Sequence, residues 1–595
     1  MKIKVNRNSL WSEIFVKELA DNGVKYACIS PGSRNTPLTV AFSQNKNIKT
    51  HILVDERSNG FFALGLARAT KTPVALVCTS GTAVAEFYPA IIEAFQQNIP
   101  LIVLTADRPP ELQDCGANQT IHQNNIYKNH ICWFRNAGLP GVGLKKLFHV
   151  RALAKKAFFE SSSKGPVHVN FPFRKPLEPF TFTDEVNEEV LQKMSLEHSC
   201  ENGLIETIPE KSTAGKSLAE KSLADKIYEK LKAAQKCVIL AGPDDPVDNF
   251  ACSLQHMASL FSLPILADGA SQLRYGSHDK RNVFINFEGC LRSGEFSKKI
   301  EPELILHFGR TMTSKGIEMF LEGTSSEYYI INERGSIFDP FGKTTAVLAM
   351  DSCEFLDNII NKAESEGFKR EESSWLEVFK SAEVTAEELK KEIILKAPFP
   401  FEGRIFTEAV SLMPQNSNLM ISNSMPVRDL DYFSPKTEMQ INVYNNRGAS
   451  GIDGITSTAL GIASAAMNPT VLITGDLAFY YDLNGLLASK KYSIPLVVVL
   501  INNDGGGIFE MLPVSGSEGN LFREYFQTPH ELDFSHFVKG YGGDFWEISD
   551  WQGFRDAFAR ALKSRRLSVL HIRTDSKKSV SLRRRFWKEV AESIA

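Results

Sequence analysis

The sequence predicts an α/β protein made of three doubly wound parallel-sheet domains. The chain has 595 residues, of which 43% are hydrophobic and 23% charged, as is typical of a globular chain with several domains. Apolar runs of strand length alternate with glycine-rich or polar turns and helical patterns in three successive blocks. The runs lack polar–apolar alternation, which indicates strands that are covered on both faces.

The three blocks predict the domain boundaries. The first domain, 1–185, has strand-like runs at 24–30, 74–80, 100–106 and 167–172. A polar segment with a weak KSxA repeat predicts a surface linker at 186–225. The middle domain, 226–365, has runs at 237–242, 264–269, 304–309 and 328–333, and a charged helical connector follows at 366–398. The last domain, 399–595, has runs at 419–424, 441–446, 470–476, 495–504 and 568–575.

Charge and cysteine content exclude several classes of function. Lys and Arg total 67 against 70 Asp and Glu, so the protein as a whole lacks the positive charge that attracts nucleic acid or an anionic membrane. No apolar stretch approaches the roughly 20 residues of a membrane span, and the first residues lack a signal-peptide core. We therefore expect a cytoplasmic protein without nucleic-acid or membrane partners. The nine cysteines form no CxxC pair, which argues against a disulfide framework or a zinc site.

Two neighbouring strands of the third domain end in oxygen ligands. One run ends in Gly475 and Asp476, and the next ends in Asn502, Asn503 and a glycine triplet. Asp476 and Asn503 lie 27 residues apart, which accommodates one crossover helix between two parallel strands. Either dipeptide alone is more often a strand-ending turn. Together they predict a site for Mg²⁺ or Mn²⁺, with glycines that let the backbone approach a diphosphate.

The spaced GD and NN pairs resemble the cofactor motif of thiamine diphosphate enzymes. The resemblance implies a thiamine diphosphate-binding fold with pyrimidine, middle and diphosphate domains, in that order. It assigns the divalent ion to Asp476, Asn503 and the Gly505 carbonyl, with Leu477 and Ala478 beside the cofactor. It also requires a glutamate in the pyrimidine domain, which Glu56 in VDERSNGFFALG supplies. Asp55 and Glu56 alone would more simply complement a helix N-terminus.

Longer motifs narrow the resemblance to one family. SPGSRNTPL (30–38), LTADRPPEL (104–112), ANQTI and NRGASGIDG (446–454) closely resemble the 2-succinyl-5-enolpyruvyl-6-hydroxy-3-cyclohexene-1-carboxylate (SEPHCHC) synthases of menaquinone biosynthesis. The match spans all three blocks. It implies a transferase that decarboxylates 2-oxoglutarate and adds the four-carbon product to isochorismate. It also implies a homo-oligomer, a dimer at least, because the pyrimidine and diphosphate halves of the site come from different subunits.

The resemblance assigns the substrate-binding residues. Both reactants are dianions, and guanidinium groups pair with carboxylates through two parallel hydrogen bonds. The assigned residues are Ser33, Arg34, Arg108, Gln119, Arg292, Ser424, Arg428, Arg447 and Phe509. Ser424 and Ile452 are also assigned to the cofactor, Ile452 as the wedge beneath its bend. Glu56 is expected to have a raised pKa in an apolar pocket and to share a proton with the aminopyrimidine ring.

Other interpretations remain open for these residues. Any single arginine is commonly an ion-pair partner, and Ile452 or Phe509 alone would be core residues. A decarboxylase for small acceptors would have an apolar pocket without these arginines, and a silent relative would have lost Glu56 or a metal ligand. His168 is expected to be a core histidine and His122 to have no catalytic role. SLRRRFWKE near the C-terminus predicts a solvated helix face.

Overall fold

The N-terminal region of the structure is built round a six-stranded parallel sheet with the order β3-β2-β4-β5-β7-β6. The structure is a computed structural model that describes residues 2–196 and 212–595. The strands are β1 Lys2–Val5, β2 Tyr26–Ile29, β3 Lys49–Ile52, β4 Val74–Cys78, β5 Leu101–Asp107, β6 Trp133–Asn136, β7 Val167–Pro172 and β8 Asp184–Asn187. The helices are α1 Arg7–Asp21, α2 Thr36–Gln44, α3 Glu56–Thr70, α4 Thr82–Glu86, α5 Tyr88–Gln97, α6 Leu144–Lys164 and α7 Glu188–Leu196. Strands β1 and β8 form a separate antiparallel pair.

The middle region contains a second six-stranded parallel sheet, with the order β11-β10-β9-β12-β13-β14. Its strands are β9 Cys237–Ala241, β10 Ile265–Ala267, β11 Val283–Phe284, β12 Leu304–Phe308, β13 Glu327–Ile331 and β14 Ala346–Leu348. Its helices are α8 Ser212–Ala233, α9 Phe250–Phe261, α10 Phe287–Cys290, α11 Gly294–Lys299, α12 Lys315–Gly323 and α13 Ser352–Ser365, and α14 Ser374–Ile393 leads onward. The predicted linker 186–225 lies partly outside the described residues.

The C-terminal region contains the third six-stranded parallel sheet, with the order β16-β15-β17-β18-β20-β19. Its strands are β15 Ser417–Ile421, β16 Ile441–Asn445, β17 Thr470–Gly475, β18 Leu496–Asn502, β19 Asp544–Glu547 and β20 Leu567–Arg573. Its helices are α15 Glu402–Leu412, α16 Met425–Phe433, α17 Ile455–Ala465, α18 Asp476–Tyr481, α19 Leu486–Tyr492, α20 Phe534–Gly540, α21 Trp551–Ala561 and α22 Ser576–Ser593. The predicted α/β class with three parallel sheets is confirmed. The exact domain boundaries stay predictions.

The first and third sheets share one topology. If the strands of each sheet are counted in chain order, both read 2-1-3-4-6-5, whereas the middle sheet reads 3-2-1-4-5-6. Sequence reasoning found the central strands because they are continuous aliphatic runs that are buried on both faces. It missed β6, β11, β14 and β19, since these strands lie at sheet edges and are short or partly exposed.

Helices α3 and α17 pack at van der Waals contact and join the two like sheets. A Cβ added to Gly65 of α3 would lie 2.1 Å from the Thr458 carbonyl oxygen, and one added to Gly461 of α17 would lie 2.2 Å from the Phe62 carbonyl oxygen. Only glycine permits this approach. Helix α3 is capped by Asp55, whose Oδ1 accepts the Ser58 amide at 3.0 Å. The packing therefore holds the N-terminus of α3 beside the third sheet.

No helix within residues 2–196 and 212–595 is both long enough and apolar enough to cross a bilayer.

Candidate active site

A cavity of about 160 Å³ opens at the carboxyl edge of the third sheet, where β15, β17 and β18 end. Ligands of doubly wound sheets bind at this edge. The cavity brings together eight residues that the sequence singled out: Ser424, Ile452, Asp476, Leu477, Ala478, Asn503, Gly505 and Phe509.

Asp476 is the first residue of α18 and is buried, with 2% of its surface exposed. Its Oδ1 accepts the Leu477 amide at 2.7 Å, and its Oδ2 accepts the Gly505 amide at 2.9 Å. The second bond ties the end of β17 to the loop after β18. A carboxylate at a helix N-terminus is stabilised by the aligned amides, and its remaining lone pairs can bind a cation.

Asn503 follows β18 and presents an unpartnered oxygen. Its Nδ2 donates to Glu402 Oε1 at 3.1 Å, whereas its buried Oδ1 has no hydrogen-bond partner among the described residues. A buried carbonyl oxygen without a donor is costly unless a ligand satisfies it. This orphaned oxygen is what a hard cation would need from Asn503.

The glycine triplet after Asn503 is required by close backbone contacts. Gly505 has φ +130°, and a Cβ there would lie 2.0 Å from the Gln527 carbonyl oxygen. A Cβ on Gly507 would lie 2.5 Å from Asn503 Nδ2. Side chains at these positions would therefore displace the Asn503 loop. One carboxylate, one amide oxygen and backbone carbonyls form a donor set that fits Mg²⁺ or Mn²⁺ bound to a diphosphate.

That donor set is poor in charged ligands. Within the described parts of the chain, no group of three or more His, Cys, Asp and Glu side chains is placed to hold a metal ion. A cation at Asp476 and Asn503 would thus depend on phosphate oxygens and water for its other ligands, as Mg²⁺ sites commonly do.

Ser424 occupies a strained turn between β15 and α16. Its φ of 71° and ψ of −131° are rare for a residue with a side chain. The turn points its carbonyl oxygen at Arg428, whose Nη1 donates to it at 2.7 Å. Strain of this kind persists where the surrounding structure enforces it, and here it lies in the wall of the cavity.

Phe509 packs against Phe526 with ring centroids 5.8 Å apart and also lines the cavity. Ile452 lies in the opposite loop, between β16 and α17. The structure places both residues at the cavity, and the roles that the resemblance assigns to them stay predictions.

Glu56, by contrast, does not line this cavity. It begins α3 at the carboxyl edge of the first sheet and is half-buried. Burial raises the pKa of Glu56, and the Asp55 and Glu86 carboxylates raise it further. The direction of the expected pKa shift is confirmed.

Arg34 and Arg108 lie together at the edge of the first sheet. Arg34 is 7% exposed and donates from Nη1 to the Phe173 carbonyl at 2.8 Å, and Arg108 donates to Ser80 Oγ. Burial lowers the pKa of Arg34, and the Arg108 charge lowers it further, so the two cations are neighbours. Asp107 at the end of β5 offsets part of this charge.

Two more assigned residues flank this pair of arginines. Gln119 donates from Nε2 to the Ser80 carbonyl at 2.8 Å. Ser33 is exposed, and its carbonyl accepts the Thr36 amide at 3.2 Å. The structure thus brings Arg108 and Gln119 to Ser80, with Arg34 beside Arg108, and leaves the Ser33 hydroxyl at the surface.

Arg447 follows β16 in a loop that helix α5 of the first region holds. The Gly448 and Ala449 amides donate to Glu93 at 2.9 and 2.6 Å. Burial lowers the pKa of Arg447, while the Asp268 carboxylate raises it. Arg447 therefore lies between the first, middle and third sheets.

Arg292 is bound by residues outside the cavity. Its Nε donates to Glu288 Oε1 at 3.0 Å, and its guanidinium lies 4.2 Å from the centre of the Trp587 ring. Its side chain is 30% exposed. The structure shows an ion pair and a cation–π contact for Arg292, and its assignment to substrate stays a prediction.

The C-terminal helix α22 contradicts the expectation of a solvated face. Arg583 has 1% of its surface exposed, and Phe586 and Trp587 are also buried. Arg583 donates to Asp429 Oδ1 at 2.7 Å and to Glu402 Oε2 at 2.7 Å. The run of arginines obscured the amphipathic pattern of this helix. One of its faces packs inward and contains Arg583, Phe586, Trp587 and Val590.

Sequence reasoning missed three other polar residues of this site. Glu402 and Asp429 line the cavity, and His530 Nε2 lies 3.3 Å from Asp476 Oδ2. None of these residues belongs to a local sequence motif. The one available signal was for Glu402, which stands at the start of an amphipathic helix.

The two histidines set aside from sequence lie in different environments. His168 is buried in β7, its Nε2 lies 2.7 Å from Thr105 Oγ1, and burial lowers its pKa to about 3. His122 has an 84% exposed side chain beside Asp114. The described cysteines are all free.

Comparisons with known proteins agree with this arrangement. Residues 11–127 match the family model of the thiamine pyrophosphate enzyme N-terminal TPP binding domain, and residues 434–572 match that of the C-terminal TPP binding domain. Solved structures of a 4-hydroxybenzoylformate decarboxylase from Rhodococcus jostii RHA1 and a benzoylformate decarboxylase from Polynucleobacter necessarius each align with a TM-score of 0.66 at 15% identity. They cover 95% of this chain and 99% and 98% of their own, which shows a shared fold.

Sequence relatives are far more similar. A 2-succinyl-5-enolpyruvyl-6-hydroxy-3-cyclohexene-1-carboxylate synthase from Haloarcula marismortui is 39% identical over 598 residues, covering 99% of both chains. The protein of the same name from Geobacillus kaustophilus is 38% identical over 589 residues, covering 99% of this chain and 98% of its own.

Proposed function

Since this chain belongs to the SEPHCHC synthase family of thiamine diphosphate-dependent transferases, we propose that it decarboxylates 2-oxoglutarate and adds the four-carbon unit to isochorismate. The products would be SEPHCHC and CO₂, in menaquinone biosynthesis, with Mg²⁺ or Mn²⁺ as the metal. One observation carries the proposal: the cavity that joins Asp476, Gly505 and the orphaned Asn503 oxygen at one sheet edge.

The residues of the third sheet would hold the cofactor. Thiamine diphosphate supplies a nucleophilic carbon that attacks a 2-oxo acid and accepts the electrons left by departing CO₂. Asp476, Asn503 and the Gly505 carbonyl would bind the metal, and the start of α18 at Leu477 and Ala478 would face the diphosphate. Ile452 would support the cofactor, and Ser424 would contact it from the wall of the cavity.

Glu56 would complete the site from another subunit. Its role is to share a proton with the aminopyrimidine ring, and a raised pKa suits that role. Because Glu56 does not line the Asp476 cavity within one chain, we infer a homodimer or higher oligomer in which the first-sheet edge of one subunit faces the third-sheet edge of the other.

The arginines would select the substrates. Arg34 and Arg108 on the first sheet, with Arg428 and Arg447 on the third, provide cations for the carboxylates of two dianions. Ser33, Gln119, Ser424 and Phe509 would complete the substrate pocket, and Arg292 would contribute only if it left Glu288. A decarboxylase for small acceptors has no use for this density of cations.

We retain the sequence-based domain boundaries 1–185, 226–365 and 399–595, the linker 186–225 and the connector 366–398 as proposals. The cytoplasmic location is likewise a proposal that rests on the sequence.

A mixing assay tests the proposed reaction. Purified protein with thiamine diphosphate and Mg²⁺ should consume isochorismate, followed by absorbance, when 2-oxoglutarate is present but not when pyruvate replaces it. Glu56→Gln should abolish the consumption while leaving the cofactor's metal site intact.

Two outcomes would contradict the proposal in different ways. If 2-oxoglutarate loses CO₂ while isochorismate is untouched, the cofactor assignment holds and the assignment of arginines to a second dianion is wrong. If Glu56→Gln retains full activity, the proton-sharing role is wrong.

A further inference from the structure

Glu402, at the start of α15, lies directly behind the amide of Asn503. Its Oε1 accepts Asn503 Nδ2 at 3.1 Å and Thr574 Oγ1 at 2.8 Å, and its Oε2 accepts Arg583 at 2.7 Å. Only 1% of its surface is exposed. Both carboxylate oxygens are therefore committed, and one of them contacts a predicted metal ligand.

Glu402 accepts its hydrogen bonds from Asn503, Thr574 and Arg583, and this fixes the orientation of the Asn503 amide. The NH₂ group must face Glu402, so Oδ1 must face the cavity. The buried Oδ1 has no partner among the described residues, as this orientation requires. A neutral, donating neighbour at the same place would favour the opposite orientation, with NH₂ towards the cavity.

Arg583 holds the Glu402 carboxylate in place. Its guanidinium contacts both Glu402 and Asp429, and all three side chains are at least 98% buried. Hydrogen bonds from Thr574 and Arg583 add to the one from Asn503, so each of these contacts is one that the Glu402 carboxylate accepts. The C-terminal helix α22 thus acts on Asn503 through Glu402.

We propose that Glu402, held by Arg583, is a positioning residue that orients the Asn503 oxygen towards the divalent cation. This inference rests on the metal site proposed above and adds to it a residue that no metal contact would reveal. Glu402 does not touch the cation; it selects which end of the Asn503 amide does.

Glu402→Gln should invert the selection. The glutamine oxygen must face Arg583, which can only donate, so its NH₂ faces Asn503 and Thr574. Asn503 would then turn its oxygen to that NH₂ and its own NH₂ to the cavity. The buried triad of two carboxylates and one arginine becomes neutral, so the variant is expected to fold.

The test measures Mn²⁺ binding by calorimetry and by its electron paramagnetic resonance signal, with thiamine diphosphate present. Glu402→Gln should raise the Mn²⁺ Kd by about 10- to 100-fold, the range for residues that orient metal ligands. Asp429→Asn is the matched control, because it removes the same charge from the same guanidinium without contacting Asn503. Equal Kd values for the two variants would overturn the inference.

A second pair of variants gives a result that a merely structural role cannot. Asn503→Asp places two hydrogen-bond acceptors face to face and should weaken Mn²⁺ binding. Combining Asn503→Asp with Glu402→Gln restores a donor at position 402, so the double variant should bind Mn²⁺ about 10-fold more tightly than Asn503→Asp alone. Additive losses in the double variant would overturn the inference. Absence of Mn²⁺ binding by the unaltered protein would instead refute the proposed metal site itself, and the inference with it.

Discussion

The first and third sheets have the same strand order, yet different side chains follow their third and fourth strands. In the first sheet, the third and fourth strands lead to Ser80 and Arg108, which are hydrogen-bonded to each other. In the third sheet, the same two strands lead to Asp476 and Asn503. These positions are thus suited to bind an anion in the first sheet and a cation in the third.

This difference shows what the fold decides and what it does not. The shared topology places the ends of the central strands together at one edge, where ligands of such sheets bind. The residues at those ends decide whether the ligand is a carboxylate or a metal bound to a diphosphate. We therefore expect substitutions at the two edges to have separable effects on cofactor and substrate.

The largest effect is expected at the edge of the third sheet, at the proposed metal site. Asp476→Asn removes the one carboxylate of the donor set and should weaken Mg²⁺ and thiamine diphosphate binding by more than about 100-fold, beyond the range for residues that only orient ligands. Calorimetric titration of the cofactor measures it. An unchanged cofactor Kd would refute the assignment of this edge to the metal.

A smaller effect, of a different kind, is expected at the edge of the first sheet, where Arg108 is suited to bind an anion. Arg108→Met should raise KM for a dianionic substrate by about 10- to 100-fold, the loss of roughly 1.5–3 kcal/mol for a charged hydrogen bond, and leave the cofactor Kd unchanged. Arg135→Met, at an exposed arginine of β6, is the control and should alter neither constant. A shift in cofactor Kd for Arg108→Met would remove the distinction between the edges.

The smallest effect concerns the pH dependence of folding in the first sheet. Because burial lowers the pKa of His168 to about 3, the unfolded chain binds one more proton than the folded chain between that value and pH 6.5. Stability should fall as pH falls through this window. His168→Gln should reduce the slope by up to about 1.4 kcal/mol per pH unit in urea unfolding, and exposed His122→Gln should not. An unchanged slope for His168→Gln would contradict the assignment.

Local signals in the sequence predicted much of this architecture. Central strands are long aliphatic runs, and the GD and NN pairs stand at their ends, so the cavity that contains Asp476, Asn503 and Gly505 could be anticipated from spacing alone. The functional assignments of Ile452 and the arginines needed the family resemblance, because such residues are common in cores and ion pairs.

The remaining parts of the site depend on long-range packing. Glu402 and Arg583 lie 181 residues apart and meet only when α15 and α22 pack together. From sequence alone, the charged run containing Arg583 predicts a solvated helix face, although one face of this helix is buried. A carboxylate that orients a ligand from behind leaves no local pattern, so sequence reasoning could not place it.

The most direct test of a site divided between subunits is to mix two inactive variants. Glu56→Gln would disable the first-sheet half and Asp476→Asn the third-sheet half, and subunits exchanged by mild denaturation and refolding would form hybrid dimers. If each site joins the first sheet of one subunit to the third sheet of the other, one site per hybrid is intact, and the mixture should recover about a quarter of the unaltered activity. Full inactivity of a mixture shown to contain hybrids would contradict the divided site and place both halves within one chain.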